Sequence, residues 1–244
     1  YYHVAKNLVD NGTFTSSSEP DYLPYTGHAV SQYKGNYVTV YQAGNAILWW
    51  PFLTASKLVE RAVCNQSINN LGISSCPSIY NDYYMSFNGH SVYDGIAILI
   101  ASIFYSIITI FFIVSILLDL GFSTKVSYAS TAIVYFSSYI IAYIFQSPSY
   151  SHVYELFAVS GLLFCVIRFS KLFRKKFMFL GGIFSGLLVL IRPVNIVILI
   201  PILFFNLRHR SLKSNFLFIL GGIPFALIYL LYNFQSYACF ACSG

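Results

Sequence analysis

The sequence predicts an all-α polytopic membrane protein, with about six transmembrane helices preceded by a long polar outer loop that carries two juxtamembrane helices. Three observations carry this expectation. Hydrophobic residues make up 57% of the 244 residues and charged residues only 9%, a balance far from that of a soluble domain. From Gly95 onward the apolar residues come in long unbroken runs rather than at amphipathic spacing, the pattern of helices surrounded by lipid. Lysine and arginine gather in short loops between alternate runs, which is how orientation in a membrane is encoded.

The polar region comes first and is read as residues 1–94, a first extracytoplasmic loop. Its opening, "YYHVAKNLVDNG", reads as a short helix ended at Asn11-Gly12, a dipeptide suited to a left-handed backbone position. "SQYKGNYVTVYQ" alternates enough for a short extended hairpin around Lys34-Gly35-Asn36. A second helix is expected from about Ala43 to Ala62. Its Trp49-Trp50 pair, followed by Pro51, suits the headgroup level, where indole rings concentrate. Asn11-Gly12-Thr13 and Asn65-Gln66-Ser67 match the glycosylation acceptor pattern and agree with an external location. The chain opens on Tyr1 with no signal peptide ahead of the polar region, and it reads as a fragment of a longer protein.

Residues 95–244 are read as the transmembrane domain, with spans at about 95–118, 126–146, 152–168, 177–191, 193–207 and 215–234. A spanning helix needs about 20 residues, so the middle runs are short and must borrow from their flanks. Lys125 lies between the first two spans. Arg168, Lys171, Arg174, Lys175 and Lys176 lie between the third and fourth, and Arg208, Arg210 and Lys213 between the fifth and sixth. These loops are expected to be cytoplasmic. The alternate junctions, Gln146 to His152 and Arg192 to Asn195, then fall on the other side with the long first loop. The formal charge of +6 is thereby spent on topology, and nucleic-acid binding is excluded as its purpose.

Five cysteines carry no paired spacing suited to structural zinc. Cys165 reads as a small core residue. Cys64 and Cys76 share a polar region and can pair if it faces an oxidising compartment. Cys239 and Cys242 form a C-x-x-C without the βαβ surroundings of a redox motif. Neither a metal nor another cofactor is implied, and the metal requirement is left open.

The residues able to carry chemistry converge at the outer face. In "SPSYSHVYELF", His152 and Glu155 stand three apart on one helix face, where they can share a hydrogen bond, an ion pair or a ligand. The simpler alternative is that Glu155 complements the positive end of the helix dipole while His152 anchors at the interface. Arg192 precedes Pro193, which pushes its backbone out of helical geometry. A guanidinium at such a break suits a phosphate, since it is always charged and binds two oxygens at once, or it snorkels to the headgroups. Asp94 is expected to cap the first span. Gly182 and Gly186, with Gly181, form a G-x-x-x-G surface expected to pack closely against another helix.

Taken together, "YYHVAKNLVDNGTF", "YVTVYQAGNAILWWPF", "SPSYSHVYELF" and "GGIFSGLLVLIRPVN" resemble, in this order, the membrane glycosyltransferases of the GT-C fold. That group includes protein O-mannosyltransferases and aminoarabinose transferases, which depend on a phospholipid carrier. The resemblance implies a hexosyltransferase-type enzyme of the plasma membrane. It would take a sugar from a polyprenyl- or dolichyl-phosphate donor and pass it to a glycan, lipid or protein acceptor on the non-cytoplasmic face. In the family the catalytic base is an acidic residue just ahead of the first juxtamembrane helix, here expected upstream of Tyr1. The resemblance further implies that Glu155 and His152 act at the catalytic centre. Arg192, Lys34, Tyr1, Tyr2, His3, Tyr41 and Gln42 then line the substrate site, with Tyr41-Gln42 standing where some relatives carry a lysine. The alternatives are a transporter or flippase for a lipid or polyol, or a non-catalytic membrane subunit. The sequence shows no convincing internal repeat of the transporter kind.

Overall fold

A computed structural model describes residues 2–15, 30–33, 36–39, 43–71, 92–209 and 212–237; for residues 2, 3, 30–33, 36–39, 63–71, 203–209, 212 and 213 the backbone alone is described. Helices dominate these residues. The chain forms two compact units, residues 1–101 with 232–244, and residues 102–231.

In the first unit, α1 (Tyr2–Asn11) ends where its sequence predicts, with Gly12 at φ +66°, a position that a β-carbon disfavours. Strands β1 (Val30–Tyr33) and β2 (Asn36–Thr39) pair antiparallel, Val30 opposite Thr39 and Tyr33 opposite Asn36. The second helix, α2 (Gly44–Leu71), runs well beyond the expected Ala62 and contains Pro51. Its two indoles part company: Trp49 is fully buried and Trp50 half-exposed. Helix α1 packs on α2, with Val4, Ala5, Ala46 and Leu53 buried, and Asp10 pairs with Lys57.

Helix α3 (Val92–Asp119) starts in this unit. Its Asp94, expected from sequence to cap the span, is buried against α2. The carboxylate lies inside the first turn, 2% exposed, and accepts a hydrogen bond of 2.9 Å from Ser56 Oγ. A buried carboxylate is costly without such a donor. The end of α9 (Leu212–Tyr237) also belongs here, where Gln235 Oε1 accepts from the Phe14 amide at 3.0 Å and Tyr232 meets the Phe14 ring edge-on.

The second unit holds the rest of α3, then α4 (Thr124–Ser137), α5 (Ile140–Phe145), α6 (His152–Leu172), α7 (Lys175–Ile191), a 3₁₀ turn (Pro193–Asn195), α8 (Ile196–His209) and most of α9. The expected span 126–146 is therefore two helices. At the break, Ser138 is extended and its hydroxyl accepts the Ile140 amide at 3.4 Å, drawing that donor away from the helical ladder. An apolar cavity of about 350 Å³ lies between α3 and the broken α4–α5 pair, lined by Ile107, Ile110, Tyr135 and Ile144 among others. Arg168 and Lys171, read from sequence as loop residues, stand in the last turns of α6.

An aromatic cluster of Tyr105, Phe112, Phe157, Phe164 and Phe184 joins α3, α6 and α7, with ring centroids 4.8–5.5 Å apart between Tyr105 and Phe157, Phe112 and Phe164, and Phe157 and Phe184. Glycines bring α7 and α9 together. A β-carbon on Gly182 would fall on the carbonyl oxygen of Phe218, one on Gly221 would fall on that of Phe179, and one on Gly186 would lie 2.9 Å from Phe225 Cβ. This is the close packing that the small residues predicted. Cys165 is buried, as a core residue should be.

Among the described residues, three helical segments are long and apolar enough to cross a membrane: Val92–Asp119, His152–Leu172 and Ser214–Tyr237. Helix α7, with 17 residues, rises only about 25 Å. Large apolar side chains such as Ile107 and Phe111 of α3, Phe136 of α4 and Leu227 of α9 are exposed, which suits lipid far better than water.

Candidate functional site

The site starts at the amino end of α6. The connection from α5 is pinned by its own hydrogen bonds: Tyr150 N–H donates to Ser147 O at 3.1 Å, and the buried Tyr154 hydroxyl donates to Pro148 O at 2.9 Å. This fixes where His152 and Glu155 emerge. One helical turn apart, they face each other, with His152 Nδ1 3.6 Å from Glu155 Oε2. The His152 ring lies against Tyr143 of α5, centroids 4.4 Å apart.

The second half comes from the end of α7. Arg192 is extended (φ −147°, ψ 118°), as a residue before proline prefers, and its amide still donates to Leu188 O at 3.2 Å. Pro193 then opens the 3₁₀ turn, closed by the Asn195 amide on Arg192 O at 3.0 Å. This turn aims Arg192 and Asn195 at the same carboxylate. Arg192 Nε lies 3.3 Å from Glu155 Oε1, and Asn195 Nδ2 donates to the same oxygen at 3.1 Å. Asn195 Nδ2 also donates to Leu188 O at 3.2 Å, so one amide holds the carboxylate and adds a second donor to a helix-end carbonyl that the Arg192 amide already reaches.

Glu155 is the hub of this arrangement. Its side chain is 16% exposed, whereas those of His152 and Arg192 are 40% and 43% exposed. The carboxylate is thus sheltered, and the groups around it are open to a ligand. A fixed carboxylate can orient an imidazole or an acceptor hydroxyl, and an exposed guanidinium already aligned by it can take phosphate oxygens. Among the described residues no three His, Cys, Asp or Glu side chains gather as metal ligands would.

The structure therefore brings His152, Glu155 and Arg192 together, as their sequence positions predicted. Tyr2 and His3 lie in α1 of the other unit, described by backbone only. Tyr1, Lys34, Tyr41 and Gln42 lie outside the described residues, as do Cys76, Cys239 and Cys242 and the side chain of Cys64. Sequence reasoning missed Asn195 and Tyr143. Asn195 had a legible signal, since "RPVN" starts a 3₁₀ turn that sets residues three apart on one side. Tyr143 had none, because its place depends on the helix break at Ser138. Comparison with protein-family models, with curated proteins and with solved structures finds no match.

Proposed function

We propose that this chain is an integral-membrane glycosyltransferase of GT-C type, with six membrane spans, that uses a polyprenyl- or dolichyl-phosphate-linked sugar on the non-cytoplasmic face. The observation that carries the reading is the convergence of an exposed Arg192 and His152 on the sheltered Glu155 at one end of α6 and α7. The sequence resemblance to phospholipid-carrier-dependent transferases supplies the chemistry.

In this reading an acceptor hydroxyl attacks the anomeric carbon of the donor. The bond from that carbon to the phosphate oxygen breaks, and the lipid phosphate departs with the electron pair. Arg192 meets the developing negative charge, the kind of electrostatic stabilisation that contributes most in such sites. Glu155 aligns Arg192 through Oε1 and faces the His152 ring with Oε2 at 3.6 Å, placing the imidazole to assist the family's acidic base in taking up the acceptor proton. Lys34, Tyr1, Tyr2, His3, Tyr41 and Gln42 are proposed to line the donor and acceptor sites from the outer loop.

The test is turnover of polyprenyl-phosphate sugars by the protein in membranes. Arg192→Ala should cut turnover by about 10²-fold or more, while Lys125→Ala, outside the cluster, should leave it unchanged. Unaltered donor affinity and rate in Arg192→Ala would sink the phosphate role. The interruptions between α4 and α5 and between α7 and α8 favour the transporter reading, since broken helices bind cargo in transporters. Movement of an intact lipid-linked sugar across vesicles, without cleavage, would select that reading instead.

A further inference from the structure

We propose that the corner joining α6 to α7, residues 171–176, is a docking site for the phosphate headgroup of an anionic phospholipid, with Phe173 as its apolar anchor. The proposal rests on the membrane reading alone and stands or falls independently of glycosyl transfer.

The cations of this corner fall into two groups. At this end of α6, Asp119 pairs with Arg168 and lies 3.8 Å from Lys171 Nζ, and Arg168 also lies over the Phe164 ring at 5.2 Å. These two cations belong to the last turns of α6, where the helix dipole favours them, and a carboxylate compensates them. The next three do the opposite. Arg174, Lys175 and Lys176 stand at the amino end of α7, where the dipole disfavours positive charge. The first turn of α7 holds no acidic residue, and its N-cap makes no side-chain hydrogen bond. Lys176 leans over the Phe177 ring at 5.4 Å. Arg174 and Lys175 are exposed and have no ion-pair partner among the described residues. Orientation by positive charge asks only for Lys or Arg near a span and is indifferent to which helix end carries them. An external anion turns all three contacts, and the helix end itself, from unfavourable to favourable.

The apolar half of the corner identifies the source of that anion. Leu172 and Phe173 are exposed, Phe173 the more so at 69%. Phe173 is the one described residue other than glycine with positive φ, at +52°, and its amide bonds Phe169 O at 2.9 Å. Glycine usually takes this position at a helix end. Here a phenyl ring is held outward beside three cations, and a soluble phosphate has no use for it. A headgroup boundary, with acyl carbon below and phosphate above, matches both halves.

The experiment uses the full chain in nanodiscs, with Phe173→Trp as reporter read against the unchanged Trp49 and Trp50 background. Brominated phosphatidylglycerol is expected to quench this reporter at least about threefold more than brominated phosphatidylcholine of equal bromine content. Arg174→Gln or Lys175→Gln should each raise the mole fraction of phosphatidylglycerol at half-maximal quenching about fivefold, and the triple glutamine variant should erase the preference. Lys175→Arg/Lys176→Arg should keep it, which separates lost charge from lost fold. Equal quenching by both lipids, or an unchanged midpoint in the triple variant, would overturn the proposal. So would loss of quenching on adding millimolar inorganic phosphate at constant ionic strength, since that result assigns the corner to a soluble phosphate.

Discussion

Glu155 and Arg192 meet across two helices, Oε1 of the carboxylate lying 3.3 Å from Nε of the guanidinium. The pair ties the amino end of α6 to the carboxyl end of α7, and the exposed half of Arg192 limits what it adds to stability. Double-mutant analysis with Glu155→Gln and Arg192→Gln should give a coupling of about 1 kcal/mol, discounted for solvent screening. Thermal unfolding in detergent measures it. Strict additivity would show that the two side chains do not act on one another, and the shared-site argument would lose its centre.

Asn195 should matter more than its neutral side chain suggests. It donates from one nitrogen to Glu155 and to Leu188 O, so Asn195→Ala removes two hydrogen bonds, leaves Oε1 to the Arg192 guanidinium and Leu188 O to the Arg192 amide, and should cost about 1 kcal/mol. Asn195→Asp should be worse, because it sets a second carboxylate against Glu155. Adding Glu155→Gln should restore much of that loss, since a glutamine amide can donate to the new aspartate. A melting temperature for Asn195→Asp equal to that of wild type would contradict the geometry.

Legibility in the sequence followed the range of the interaction involved. The lengths of the apolar runs located α3, α6 and α9 to within a few residues, because burial in lipid is decided by composition over a whole turn or more. The pre-proline rule located the break at Arg192 for the same local reason. Charge periodicity brought His152, Glu155 and Arg192 to one end before any contact was known. The break at Ser138 stayed hidden because its local mark is a single amide-to-hydroxyl hydrogen bond, from Ile140 to Ser138, and serine is common in apolar helices. The partners of Asp94 and Asp119 stayed hidden because Ser56 and Arg168 are far away in sequence. The apolar runs also suggested six spans, but a run of 17 residues such as α7 looks the same to composition whether it crosses a bilayer or packs behind helices that do.

Adjacent glycines on α7 should respond very differently to the same methyl group. Gly182→Ala places a β-carbon on the backbone carbonyl of Phe218, which no rotamer change can relieve, and should destabilise by about 2 kcal/mol. Gly181→Ala meets the Phe218 ring and Cys165 at 3.4–3.5 Å, an ordinary contact, and should be nearly neutral. Detergent melting curves of the two variants decide the point. Equal losses would mean that α7 and α9 do not approach through Gly182.

The two ends of α6 should report from opposite sides of the membrane. The helix has 21 residues and rises about 30 Å, the thickness of a hydrocarbon core. Ser149 precedes its amino end, beside the Glu155 cluster, and Lys175 follows its carboxyl end, in the basic corner. The basic corner carries the cytoplasmic signature, so Ser149→Cys should react with an impermeant maleimide added to intact cells, and Lys175→Cys only after permeabilisation. The background for this experiment replaces Cys64, Cys76, Cys239 and Cys242 with serine and keeps Cys165, which is 1% exposed and shielded from the reagent. Labelling of both positions from one side would mean that α6 does not cross the bilayer. Reversed labelling would move Glu155 and Arg192 to the cytoplasmic face, where the proposed transfer from an outward-facing lipid donor is impossible.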